Sequence, residues 1–86
     1  MTSLEAIDEQ VRAVLRSTFQ LSEEAVIPEA TLFDDLDLDS LDAIDLAVKL
    51  ETETGLKLVE SEFRSIRTVQ DVVDTIYRKK SAAEGA

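Results

Sequence analysis

Ser40 sits where an acidic run gives way to a helical pattern. Residues 34–45 hold six aspartates, Asp34, Asp35, Asp37, Asp39, Asp42 and Asp45, and Ser40 is the one hydroxyl among them. Two kinds of chemistry are open to such a stretch. The carboxylates can hold a cation or present charge, and the hydroxyl can serve as an anchor for a group added to it. The rest of the 86-residue chain narrows the choice, because it contains no Cys and no His. Disulfides, Cys/His zinc sites, Cys nucleophiles and Ser-His-Asp triads are excluded. The chain by itself is a poor candidate for an enzyme.

The alternating acids first suggest a calcium loop. Asp35, Asp37 and Asp39 fall at positions 1, 3 and 5 of an EF-hand, but position 6 is Ser40 instead of Gly and position 12 is Leu46 instead of a bidentate Glu. A start at Asp37 puts Leu41 at position 5. No dedicated metal site is expected.

A serine at a helix start is ordinarily the N-cap. Here Asp39 can cap instead, with Asp42 as the third helical residue, which leaves the Ser40 hydroxyl free to point outward. A helix N-terminus also suits a phosphodiester, since backbone N–H groups and the dipole face the anion. The neighbouring acids would repel a diffusing phosphate, so enzymatic attachment is the better reading.

Three longer helices and one short one must position this stretch. Thr2 and Glu5 fit a capping box, after which Leu4, Ile7, Val11, Val14, Leu15 and Phe19 recur at helical spacing. Residues 20–39 form a long first loop. Ser22-Glu23-Glu24 suit a short turn, Pro28 blocks a helix, and Leu32, Phe33 and Leu36 are spaced to anchor the loop inward, with Phe33 expected as buried packing. The second helix runs from Ser40 or Leu41 to Thr54, and Gly55 stops it. Its apolar residues cover roughly 220° of the circumference, well beyond the stripe of about 100° that a surface helix needs. Leu46 and Leu50 are assigned to the core, and Leu41, Ile44 and Val48 to the flank of a cavity or a partner surface. Residues 60–66 suit a short helix, and Thr68 caps a last one with Asp71 three residues on and Lys79 and Lys80 near its end. The domain is expected over 1–80, with 81–86 a disordered tail.

Net charge is −10, which argues against nucleic acid and for basic protein partners. Residues 34–62 carry ten acids against Lys49 and Lys57, a net of −8. Like-charge crowding costs stability without aiding folding, so a localised docking face is the reading. With no long apolar run there is no membrane span, and a cytoplasmic monomer is expected.

Asp39-Ser40-Leu41 with acids on both sides, then Ala43-Ile44-Asp45-Leu46, a helix closing at Gly55, the loop anchors Leu32, Phe33 and Leu36, and a late Ile66-Arg67-Thr68-Val69 together resemble the acyl carrier protein family over nearly the whole chain. The resemblance implies an all-α four-helix bundle. It also implies that Ser40 receives 4′-phosphopantetheine from coenzyme A through a magnesium-dependent phosphopantetheinyl transferase. Acyl groups would ride on that arm as thioesters, presented to a ketosynthase, an acyltransferase and other basic-surfaced biosynthetic enzymes. Asp39, Asp42, Asp45 and Glu51 match the family's acidic recognition face, and Leu41, Ile44 and Val48 its apolar part. Phe33, Leu46, Leu50, Phe63, Ile66 and Val69 are candidates to line an acyl cleft between the second and third helices.

Two positions depart from the family pattern. Asp37 stands where most members have Gly, and Leu38 is often smaller. Asp tolerates the left-handed region that such a turn needs. Asp37 adds a charge to the docking face and Leu38 is expected to add apolar surface beside the arm, which fits a specialised polyketide or aryl-polyene carrier. The alternatives are an aminoacyl or peptidyl carrier, and a non-covalent acidic helical domain in which Ser40 only caps.

Overall fold

The computed structural model describes residues 3–85 and contains α1 (Leu4–Phe19), α2 (Ser40–Thr54), α3 (Glu60–Ser65) and α4 (Val69–Gly85). No strand ladder occurs among the described residues, and the fold is the all-α bundle that the periodicity predicts. α1 packs against both α2 and α4. Val11, Leu15, Leu46, Leu50, Val69, Val72, Val73 and Ile76 are sealed between them, joined by Val26 from the first loop.

Each helix end has a local cause. The cap expected from Thr2 lies outside the described residues. Ser3 is the N-cap of α1, its side chain accepting from the Ala6 N–H. Gly55 closes α2 in the left-handed conformation, φ 75°, with its N–H on the Glu51 carbonyl. Thr68 and Asp71 form a reciprocal cap before α4, each side chain accepting the other's backbone N–H. Asp71 also accepts the Arg67 N–H, which with the Thr68 N–H holds its carboxyl below the usual range.

α4 is longer than the sequence reading allowed. Its backbone stays helical through residues 81–85, where a disordered tail was expected, because Ser81-Ala82-Ala83-Glu84 contains no breaker and Ala is the best helix former. Lys79 therefore lies inside the helix and pairs with Glu62 of α3 instead of serving the last carbonyls.

The first loop is not slack. Ala25 and Val26 N–H groups donate to the Ser22 carbonyl in the expected turn. The segment around Thr31 then pairs antiparallel with the α3–α4 connection. Leu32 N–H donates to the Arg67 carbonyl at 2.9 Å, Val69 N–H to Ala30 at 3.0 Å, and Gln70 N–H to Pro28 at 3.0 Å. Leu32, Leu36 and Leu38 are buried, whereas Phe33 is 49% exposed. Two expectations are corrected here. Phe33 is not buried packing, and Leu38 adds no apolar surface beside Ser40, because alternation along the loop turns Leu36 and Leu38 inward and Asp35, Asp37 and Asp39 outward.

Candidate functional site

The loop before α2 is braced from within. Thr31 N–H donates to the Asp35 carboxylate at 2.8 Å, Asp35 and Leu36 N–H groups donate to the Thr31 carbonyl, and Leu38 N–H donates to the Leu32 carbonyl at 3.0 Å. Asp37 takes φ 56°, the left-handed conformation that Asp tolerates better than most residues. That turn delivers Asp39 as the cap of α2.

Asp39 Oδ1 accepts the Asp42 N–H at 2.9 Å, and Asp42 Oδ2 accepts the Asp39 N–H at 3.1 Å. The cap is complete without Ser40. Ser40 is the first residue of α2, exposed, and its Oγ has no hydrogen-bond partner among the described residues. An unengaged primary hydroxyl at the positive end of a fifteen-residue helix is what a phosphodiester anchor needs.

From Ser40 an open groove of about 890 Å³ runs along one face of α2. Ser40, Ala43, Ile44, Ala47, Val48 and Glu51 follow one another at alternating spacings of three and one, which lays them along roughly 16 Å of helix. Leu58, Phe63 and Ile66 face them, and Phe33 stands at the loop end.

The residues singled out in the sequence divide among three places. Phe33, Phe63 and Ile66 do line the groove, but Leu46, Leu50 and Val69 do not. These three are wholly buried in the core, where α1 packs against α2, which carries Leu46 and Leu50, and against α4, which carries Val69. Ile44 and Val48, assigned to the flank of a cavity or a partner surface, border the groove, as does Glu51, which was assigned to the docking face alone. Leu41 is 71% exposed and outside it, with Asp37, Asp39 and Asp45 also exposed. Sequence reading missed Leu58 and the cations Lys57, Arg64 and Arg67 on the facing wall. Ala43 and Ala47 carried a usable signal, since two small residues four apart leave room beside a helix.

A family model described as "phosphopantetheine attachment site" matches residues 9–76. Acyl carrier protein 2 of Ralstonia nicotianae is 45% identical over 76 residues, covering 88% of this chain and 93% of the relative. The acyl carrier protein of Thermosynechococcus vestitus is 39% identical over 74 residues, covering 86% and 91%. A solved structure from Mycobacterium tuberculosis, described as an acyl carrier protein, superimposes with a TM-score of 0.74 at 26% identity. It covers 81% of this chain and 93% of that one.

Proposed function

The chain belongs to the acyl carrier protein family, and from that premise we propose that Ser40 is the residue to which its 4′-phosphopantetheine is joined. A covalent 4′-phosphopantetheine is the family's prosthetic group, and the protein is a carrier and not an enzyme. When bound, that group supplies a thiol on which acyl groups are held as thioesters, a function the chain cannot supply itself because it has no Cys.

The observation that carries the choice of residue is the Asp39–Asp42 box. It satisfies the helix start and leaves the Ser40 hydroxyl unpaired and exposed. Members of the family are modified by a phosphopantetheinyl transferase and work with biosynthetic enzymes. The finer partner set, a ketosynthase and an acyltransferase with basic surfaces, belongs to this proposal. Its support is a bare face on which Leu41, Ile44 and Val48 are 71%, 60% and 59% exposed amid Asp37, Asp39, Asp42, Asp45 and Glu51. Rim charges of this kind speed encounter, while desolvated apolar residues supply affinity. A cytoplasmic setting is part of the same reading. Among the described residues, no helix is long and apolar enough to cross a membrane.

The groove gives the tethered acyl chain somewhere to lie, since each buried CH₂ is worth about 0.8 kcal/mol. Intact-mass measurement after incubation with coenzyme A and a phosphopantetheinyl transferase tests the anchor. The expected result is one phosphopantetheine increment, absent in Ser40→Ala. A wild-type chain of unchanged mass would favour a non-covalent interaction domain.

A further inference from the structure

The groove's charge balance differs from that of the chain. Three of the nine cations, Lys57, Arg64 and Arg67, border it, against three of the nineteen acids, Asp34, Glu51 and Glu60. A protein of net charge −10 thus keeps an electrically balanced groove beside its most acidic stretch. Arg64 is already engaged, 2.7 Å from Glu60. The side chains of Lys57 and Arg67 have no hydrogen bond or ion pair among the described residues.

Their positions are fixed by the backbone. Arg67 has its N–H on Asp71 and its carbonyl on the Leu32 N–H, so its side chain starts from a pinned point at the loop end of the groove. Lys57 follows the Gly55 cap by two residues, which puts it at the end of α2 opposite Ser40. The two walls therefore differ in chemistry. Ala43, Ile44, Ala47 and Val48 of α2 suit hydrocarbon, whereas the opposite wall sets two cations outside any close ion pair, Lys57 and Arg67, beside Leu58, Phe63 and Ile66, with Asp71 the carboxylate that feels the charge of Arg67.

A saturated chain lying in this groove would offer these exposed cations no acceptor, and their heads would stay in water. A keto, hydroxyl or carboxylate oxygen would instead take a charge-assisted hydrogen bond, and the planar guanidinium can hold two acceptors at once. We propose that the groove favours acyl cargo bearing oxygen acceptors over plain saturated chains, with Lys57 and Arg67 as the specificity-determining residues. This inference rests on Ser40 being the anchor, because the groove begins there.

The test is to load the protein with octanoyl-, β-ketooctanoyl- and ω-carboxyoctanoyl-pantetheine, using the matching coenzyme A thioesters and a phosphopantetheinyl transferase. Intact mass checks loading. Thermal midpoints and backbone amide shifts at Lys57 and Arg67 are then compared in the wild type, in the Lys57→Met, Arg67→Met double variant, and in Arg67→Lys. At least one oxygenated cargo is expected to raise the midpoint above that of the octanoyl form and to move those amides further. The double variant should lose this advantage and Arg67→Lys should keep part of it. Which oxygenated form gains separates in-chain carbonyl recognition from terminal carboxylate recognition. An octanoyl form as stable as both others, or an advantage that survives the double substitution, overturns the proposal. A missing mass increment overturns the anchor itself, and the cargo inference falls with it.

Discussion

Lys79 of α4 donates to both carboxylate oxygens of Glu62 on α3, at 2.9 and 3.0 Å, while Glu62 accepts the Val59 N–H at 3.0 Å. One carboxylate thus caps the short helix and ties it to the long one. α3 has six residues and none of them is fully buried, so apart from Phe63, which packs against the core, it is held by the buried residues that flank it, Leu58 and Ile66, and by this pair. Phe63 and Arg64 on this helix form part of the groove's far wall. The ion pair thus helps to set where that wall stands, together with the packing of Phe63.

Replacing Lys79 by Met is expected to destabilise the protein by about 1 kcal/mol, between the values for exposed pairs and for buried ones. The loss should be local. Hydrogen exchange at the Glu62 and Phe63 amides should accelerate well beyond that in α1. Equal protection of α3 in both proteins would show that the pair does not hold it.

The same carboxylate predicts a pH signature. The Val59 N–H and then Lys79 hold Glu62 below the ordinary carboxylate range. A depressed folded-state pKa gives stability that is full above the unfolded value, near 4.3 for Glu, and lost as pH falls through the folded value. The stability difference between wild type and Glu62→Gln should therefore be largest near neutrality and shrink as pH falls below about 4. Taking the difference cancels the repulsion among the remaining acids, which both proteins share.

Cap and anchor are separable at adjacent positions. Asp39→Ala removes an acceptor used by the Asp42 N–H and should cost about 1 kcal/mol. Ser40→Ala removes an unpaired exposed hydroxyl and should change stability by no more than about 0.5 kcal/mol. Chemical denaturation of the two variants decides between them. A Ser40→Ala cost equal to that of Asp39→Ala would make the serine a cap.

Two left-handed residues give a backbone test. A Cβ at Gly55 would meet nothing within 4 Å, so Gly55→Ala is expected to cost only the strain of its φ of 75°, about 1 kcal/mol. Asp37, at φ 56°, should tolerate Gly with little change and lose about 1–2 kcal/mol as Val, whose branched side chain resists that conformation. Thermal denaturation of the three variants checks the order.

The sequence by itself determined the number and order of the helices and the Gly55 stop, and offered Asp39 as one of two caps for α2. These depend on apolar periodicity and on hydrogen bonds closed within four residues, and both can be read along the chain. It also showed that α2 has more apolar surface than a core can cover. Only the tertiary structure decided how that surface was divided. Leu46 and Leu50 are buried on the side of α2 that meets α1, the inward turn of the loop takes Leu38, and Phe33 is left beside the groove. The facing wall depends on residues 28–32 pairing with 67–70 and on Glu62 meeting Lys79 seventeen positions away. Contacts between segments so distant leave no local period, because either partner's sequence would look the same without the other.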